Sequence, residues 1–476
     1  MQTVPIPLFT RSYKDADGVV LSDDAAIQYN GFLDSLAGLN IRPGEVLAFA
    51  SGYRSVGLFM WPDKNFIVCV DDNGAVSLKT VSGETLVTAF AGGTLTFTPG
   101  ARVDFANQGE YVFIAGGGKL SYINATGTLA AIADVDAPTT VTHVAFLDGY
   151  ILVIDGTSGK FYWATVNTPL DWSALNFATA EASPDNTQAM VVVQRQIYLL
   201  GTVSTEIWEN DGESPFSRIP GGLIELGCLA KYSVIKRGNS LFWLSHTRQI
   251  VEFTGTDVKF VSGRYDKELA NFAVVSDCLG GLVMKDGQEF CVFQFPSEER
   301  TLVYNPASED WSDWSNWDAE NMTWVPYDFR ASATDLNTGK TFIGKNEAKA
   351  IACLNSNSRV DITGASTTRP FKFLRQTGHI DHGTSKKKRL EILRFRAKRG
   401  TGISSGTPKL MLRYRNNGSN QWSNIREIGL GDIGDTVHHI ELHRMGMYKS
   451  RQYEISATDN VPIVLSNAEA EITVLR

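Results

Sequence analysis

Few residues in this chain have the types and spacing that chemistry needs. His379 and His382 stand three apart and could share a metal, but no cysteine or third ligand lies nearby. His438, His439 and His443 form a second, looser group. There is no HExxH, no Walker sequence and no GxGxxG opening a helix. Gly116-Gly117-Gly118 joins two strand-like runs, so it reads as a turn. Paired carboxylates for glycoside hydrolysis cannot be assigned from spacing, because their separation is spatial. The expectation is a non-enzyme with no catalytic residue, cofactor or metal.

Two stretches could instead bind. Trp311, Trp314 and Trp317 lie in the loop-like run Asp310–Asp318 and could stack on sugars, or could pack between repeated sheets. Asp171-Trp172-Ser173 echoes the run and supports the packing reading. Lys386, Lys387, Lys388 and Arg389 are four adjacent cations. They suit a solvated face or an edge-strand guard, an acidic protein partner, or a phosphate backbone.

The elements that position these residues are β. Asn186–Gly212 holds three short apolar runs, Met190–Val193, Ile197–Leu200 and Thr205–Trp208, separated by turn residues. The second run of this meander recurs at 66, 111, 150, 197, 241, 290 and 341, with spacings of 39 to 51 residues. A third run with an aromatic residue follows several copies, as in Phe161-Tyr162-Trp163 and Leu302-Val303-Tyr304. That period is close to the roughly 40–50 residues of a propeller blade. The expectation is an all-β chain with a β-propeller over residues 46–360, seven blades favoured and six possible. A pair of β-sandwiches is the alternative. Ala25–Leu36 is the best helical candidate, with Asp23 or Asp24 as cap and Gly38 as stop.

The composition divides near 355–368, a polar, turn-rich stretch that reads as a boundary. Residues 365–476 hold 19 Lys and Arg against 10 Asp and Glu, whereas residues 1–364 hold 25 against 42. The tail alternates apolar and basic residues in Leu390–Ala397 and Lys409–Arg415. Gln452–Ser456, Ile463–Leu465 and Glu469–Leu475 continue the strand pattern, so residues 365–476 read as a basic β-sandwich. Five cysteines, with no CxxC, read as reduced buried thiols. Met1–Leu8 lacks the character of a secretory signal, and no apolar run has the length of a membrane span.

Particular blocks resemble a known family. In the tail these are His443-Arg444-Met445-Gly446, Arg451–Ser456, Asp459-Asn460-Val461-Pro462, Leu465-Ser466-Asn467-Ala468 and Glu471-Ile472. In the centre they are Glu181–Asp185, Ile197–Gly201, Ser204–Trp208, Gly227-Cys228 and Leu241–Ser245. Together they resemble the packaged-DNA stabilisation proteins, the tail hub or nozzle proteins of short-tailed bacteriophages. The resemblance runs loosely from about residue 45 to the end. It implies a propeller beside a platform domain, to which residues 1–45 would contribute, and a hexameric homo-oligomer in the virion. It further implies docking below the portal-adaptor ring, a tail fibre, tailspike or plug protein beyond, passage of double-stranded DNA, and assembly in the host cytoplasm. On that reading Lys386, Lys387, Lys388, Arg389, His443, Arg444 and Arg451 are candidates for partner contact. A carbohydrate- or host-surface-binding propeller and a glycosidase propeller are the other readings.

Overall fold

The computed structural model describes all residues except 1, 7, 10–26, 35–37, 96–101, 156–157, 181–184, 213–214, 400–406, 432–436 and 476. Among the described residues the chain is almost wholly β, with one short helix, Asp266–Asn271. Six four-stranded antiparallel meanders are separate sheets, and a seventh forms one end of a nine-stranded sheet. We number these blades in chain order: blade 1 spans 55–94, blade 2 104–131, blade 3 141–179, blade 4 187–224, blade 5 235–260, blade 6 279–313 and blade 7 331–355. Each of the seven recurring runs is the second strand of its blade, from Phe66–Asp71 in blade 1 to Lys340–Gly344 in blade 7.

Hydrophobic faces seal each junction between blades. Trp61 and Val68 of blade 1 meet Val112 and Ile114 of blade 2. Phe342 and Cys353 of blade 7 meet Ile67 and Cys69 of blade 1, so the ring closes. Blade 7 takes its outer strand from the other end of the chain: Gly44–Phe49 pairs antiparallel with Ile351–Asn355. Tight turns hold the meanders. Asp148-Gly149 has φ of 49° and 90°, the two positive values of a two-residue type I′ hairpin. All five cysteines are free and buried, and burial pushes the Cys69 and Cys228 thiols up to about 12.

A sandwich packs beside the propeller, built from both ends of the chain. One sheet orders Gly31–Leu33, Leu39–Ile41, Ile463–Val474, Lys388–Arg399 and Val437–His443, with Gln2–Pro5 and Met447–Tyr448 attached. The other is the continuation of blade 6. Beyond Asp310–Asp313 it adds Ile27–Tyr29, Phe373–Gln376, Arg451–Ala457, Lys409–Asn416 and Arg426–Gly429. Ile27–Tyr29 makes the splice, parallel to blade 6 through Tyr29 opposite Asp313 and antiparallel to Phe373–Gln376. The core between the sheets mixes Ile6, Leu8 and Leu39 with Leu393, Phe395, Leu412 and Ile455.

The helix expected over 25–36 is not formed. Its described part is two strands, Ile27–Tyr29 and Gly31–Leu33, while Asp23 and Asp24 lie outside the described residues. Pairing across the splice overrides the local helical pattern. The polar stretch 355–368 also folds: Val360–Ile362 and Thr368–Pro370 form a hairpin, and its Asp361 is fully buried. There the Arg42 guanidinium binds the Asp361 carboxylate at 2.9 and 2.5 Å and donates to Asn30 Oδ1 at 2.8 Å. It lies over the Phe371 ring at 3.8 Å. Glu45, also buried, pairs with Lys345 and accepts from Tyr327 Oη at 2.5 Å and from the Ile362 N–H at 2.8 Å. Propeller, hairpin and N-terminal strands are locked at this point.

Candidate functional site

The basic cluster divides between the surface and the interior. Lys386, Lys387 and Arg389 are exposed, and Arg389 pairs with Glu391 at 2.5 Å. Lys388 is buried and donates to the carbonyls of Asp381, at 2.7 Å, and Thr384. It is therefore a structural cation and not a surface contact. The edge-guard reading also fails for Lys388, because its strand is flanked on one side by Ile463–Val474 and on the other by Met447–Tyr448 and Val437–His443. Arg451 is likewise fully buried, donating to Asn416 Oδ1 at 2.8 Å and to the Met445 carbonyl at 2.7 Å, with Tyr414 and Tyr448 rings 4.1 Å away. His443 and Arg444 are exposed. His382 places Nε2 2.8 Å from Tyr448 Oη. Among the described residues no group of three His, Cys, Asp or Glu could hold a metal.

The three tryptophans do not form a platform. Trp311 is buried at the blade 5–6 junction and donates to the Val261 carbonyl at 2.7 Å. Trp314 is buried at the blade 6–7 junction beside Phe290 and Tyr327. Trp317 alone is half-buried, 4.9 Å from Trp324 and under the Lys372 ammonium. Trp172 is buried at the blade 2–3 junction. The Trp311 and Trp314 indoles face neighbouring blades, not solvent.

A site that sequence reasoning did not locate lies on the propeller axis. The first strands of the blades surround a cavity of about 510 Å³. Its charged lining is Arg102, Asp104, His143, Lys231 and Lys236. Arg102 donates to the Gly280 carbonyl at 2.8 Å, and Asp104 Oδ2 accepts from the Val144 N–H at 3.1 Å. His143 is 5% exposed, stacks on Tyr232 at 5.3 Å and places Nε2 3.2 Å from the Lys231 carbonyl, which requires the proton on that nitrogen. A readable signal existed: Arg54 and Arg330 immediately precede the first strands of their blades, and Arg102 and Lys231 lie within a few residues of theirs. The cavity presents one carboxylate among its described lining residues, where a glycosidase needs a pair.

Burial sets two opposed titrations in this cavity. It pushes His143 down to about 4 and Asp104 up to about 6. As pH falls below 6.5, unfolded His143 takes up a proton that the native state refuses, so stability falls until about pH 4. Asp104 does the reverse. Its native carboxyl protonates near pH 6, before the unfolded one, and stability rises as pH falls toward 4. The two slopes offset. Asp104→Asn should unmask the histidine and lose about 3 kcal/mol between pH 7 and pH 4 relative to wild type. His143→Gln should shift the balance the other way. Urea unfolding across that pH range checks both signs, and parallel curves for all three proteins would refute the coupling.

A protein-family comparison matches residues 76–359 to the family described as bacteriophage P22 Gp10, β-propeller, a phage stabilisation family. The chain belongs to that family. The match covers blades 2 to 6 and parts of blades 1 and 7, so the phage-stabilisation propeller is the body just described. A search of curated proteins finds no match. Among solved structures, the crystal structure of the extracellular domain of BT4673 from B. thetaiotaomicron is similar at 10% identity and a TM-score of 0.44. The likeness covers 73% of this chain and 43% of that one, so the chain spans less than half the length of that relative. Membership makes this a phage structural protein. Among the described residues no helix is long and apolar enough to cross a membrane.

Proposed function

We propose that the protein is a tail hub or nozzle subunit, assembling as a hexameric ring below the portal-adaptor complex of a short-tailed phage. The ring conducts double-stranded DNA, retains it after packaging, and meets a fibre, spike or plug protein below. Assembly takes place in the host cytoplasm, and the protein ends in the virion. The observation that supports this most, beside family membership, is the nine-stranded sheet shared by blade 6 and the platform. A conduit holding DNA needs subunits that do not hinge, and an unbroken sheet joins the two bodies through main-chain hydrogen bonds. The propeller axis holds a cavity of small-molecule size, so the duplex would pass between subunits. Electron microscopy of the purified chain mixed with its adaptor tests the reading. A ring with a central pore supports it, and monomers that never join the adaptor reject it.

Lys386 and Lys387, exposed beside Arg389, are the part of the basic cluster available to an acidic adaptor. Surface cations act on encounter rate more than on final affinity. Lys386→Glu with Lys387→Glu should slow joining by about tenfold at low salt and flatten its salt dependence. Equal rates and equal salt slopes would remove these residues from the interface.

A further inference from the structure

The axial cavity is not uniform along its length. At one mouth, where the first strands begin, stand Arg102 and Lys231. Phe59, Phe105 and Phe146 line the cavity from within the first strands of blades 1, 2 and 3, as Lys236 does from blade 5. At about 3.3 Å of rise per residue, Phe105 lies about 10 Å along the chain from Arg102. Phe59 and Phe105 stack on each other at 5.5 Å, forming a fixed wall. Phe146 remains 42% exposed, although it stands on the first strand of its blade. An apolar ring exposed inside a cavity is a surface that a ligand ring can cover.

The charge at the mouth is positive. Arg102 uses one nitrogen on the Gly280 carbonyl, and its guanidinium carries five N–H donors. Lys231 is exposed, with its ammonium 5.0 Å from the Tyr232 ring centroid. Asp104 is the single carboxylate of the described lining, and it accepts a main-chain N–H. Burial lowers the pKa of Arg102, and Asp104 offsets that only in part. A volume of about 510 Å³ lies within the range of small-molecule sites.

We propose that this cavity binds a small organic anion carrying an aromatic ring, the chemistry of a nucleoside phosphate. The anionic group sits between Arg102 and Lys231, and the ring lies against Phe146. The reading is independent of ring assembly, because every residue it uses belongs to one subunit.

The test is isothermal titration of the purified full chain with adenosine monophosphate, inorganic phosphate and adenosine. The monophosphate should bind at least about tenfold more tightly than either fragment, since both ends contribute. Arg102→Ala should weaken it by about tenfold or more, the worth of a charge-assisted hydrogen bond. Lys231→Ala and Phe146→Ala, both at exposed side chains, should each weaken it several-fold without altering the melting curve, which keeps the test open if Arg102→Ala folds poorly. No binding of the monophosphate, or wild-type affinity in Lys231→Ala and Phe146→Ala, overturns the site. Phosphate binding as tightly as the nucleotide overturns the assigned ligand class.

Discussion

Asp361→Ala should destabilise the protein by about 3–5 kcal/mol, the usual cost of stranding one charge of a buried pair. Both Asp361 and Arg42 are fully buried. Burial works against the Arg42 charge, but Asp361 more than offsets it and the guanidinium stays ionised. Without Asp361, Arg42 would keep Asn30, the Pro43 carbonyl and the Phe371 ring, and the nearby Glu45 carboxylate is already paired with Lys345. The loss should appear as a lower urea midpoint. Arg42→Met combined with Asp361→Leu is the control. Replacing both charges by apolar groups is commonly neutral or stabilising, so the double variant should recover most of the loss. A single variant within about 1 kcal/mol of wild type would mean that Arg42 reaches solvent once its partner is gone.

Trp314→Ala should cost a similar amount, about 3–5 kcal/mol, because it empties a closed site between blades 6 and 7. The indole is 0% exposed and packs 5.5 Å from Phe290 and 5.4 Å from Tyr327. Its Nε1 has no hydrogen-bond partner, so Trp314→Phe should lose much less than Trp314→Ala. Trp317→Ala, at a half-buried position, should fall well below Trp314→Ala. Denaturant titrations of the three variants check the order. If Trp317→Ala proved the costliest, the packing roles assigned to these indoles would be wrong.

The propeller was legible because its strands repeat a local pattern. Apolar second strands bounded by turn residues recur at blade spacing, and all seven markers proved to be second strands. What stayed hidden depends on distant pairing. Nothing near Arg42 announces Asp361, 319 residues away. Nothing near Ile27 announces that its strand will join blade 6 to Phe373–Gln376. Two errors were avoidable. Arg451 shares strand parity with Tyr453, Ile455 and Ala457, so an inward side chain could have been read from alternation. Lys388 shares parity with buried Leu390, and an irregularity between Leu390 and Ile392 then shifts the register. The axial cavity was invisible for another reason. Its residues come from separate blades, and only ring closure brings them to one axis.

Gly44–Phe49 closes blade 7 by pairing with Ile351–Asn355, and the platform core needs strands from both ends of the chain. Seen from the ribosome, this is a clock. The first partner of that pair emerges about 300 residues before the second, a wait of about 15–60 s at bacterial translation speeds. During it, six blades can stack in order, but the ring has a gap and the platform has no second half. Chains halted before residue 351 therefore offer neither a closed propeller nor a complete platform. Only a finished polypeptide is fit to enter a particle, a check on completeness that needs no separate inspector.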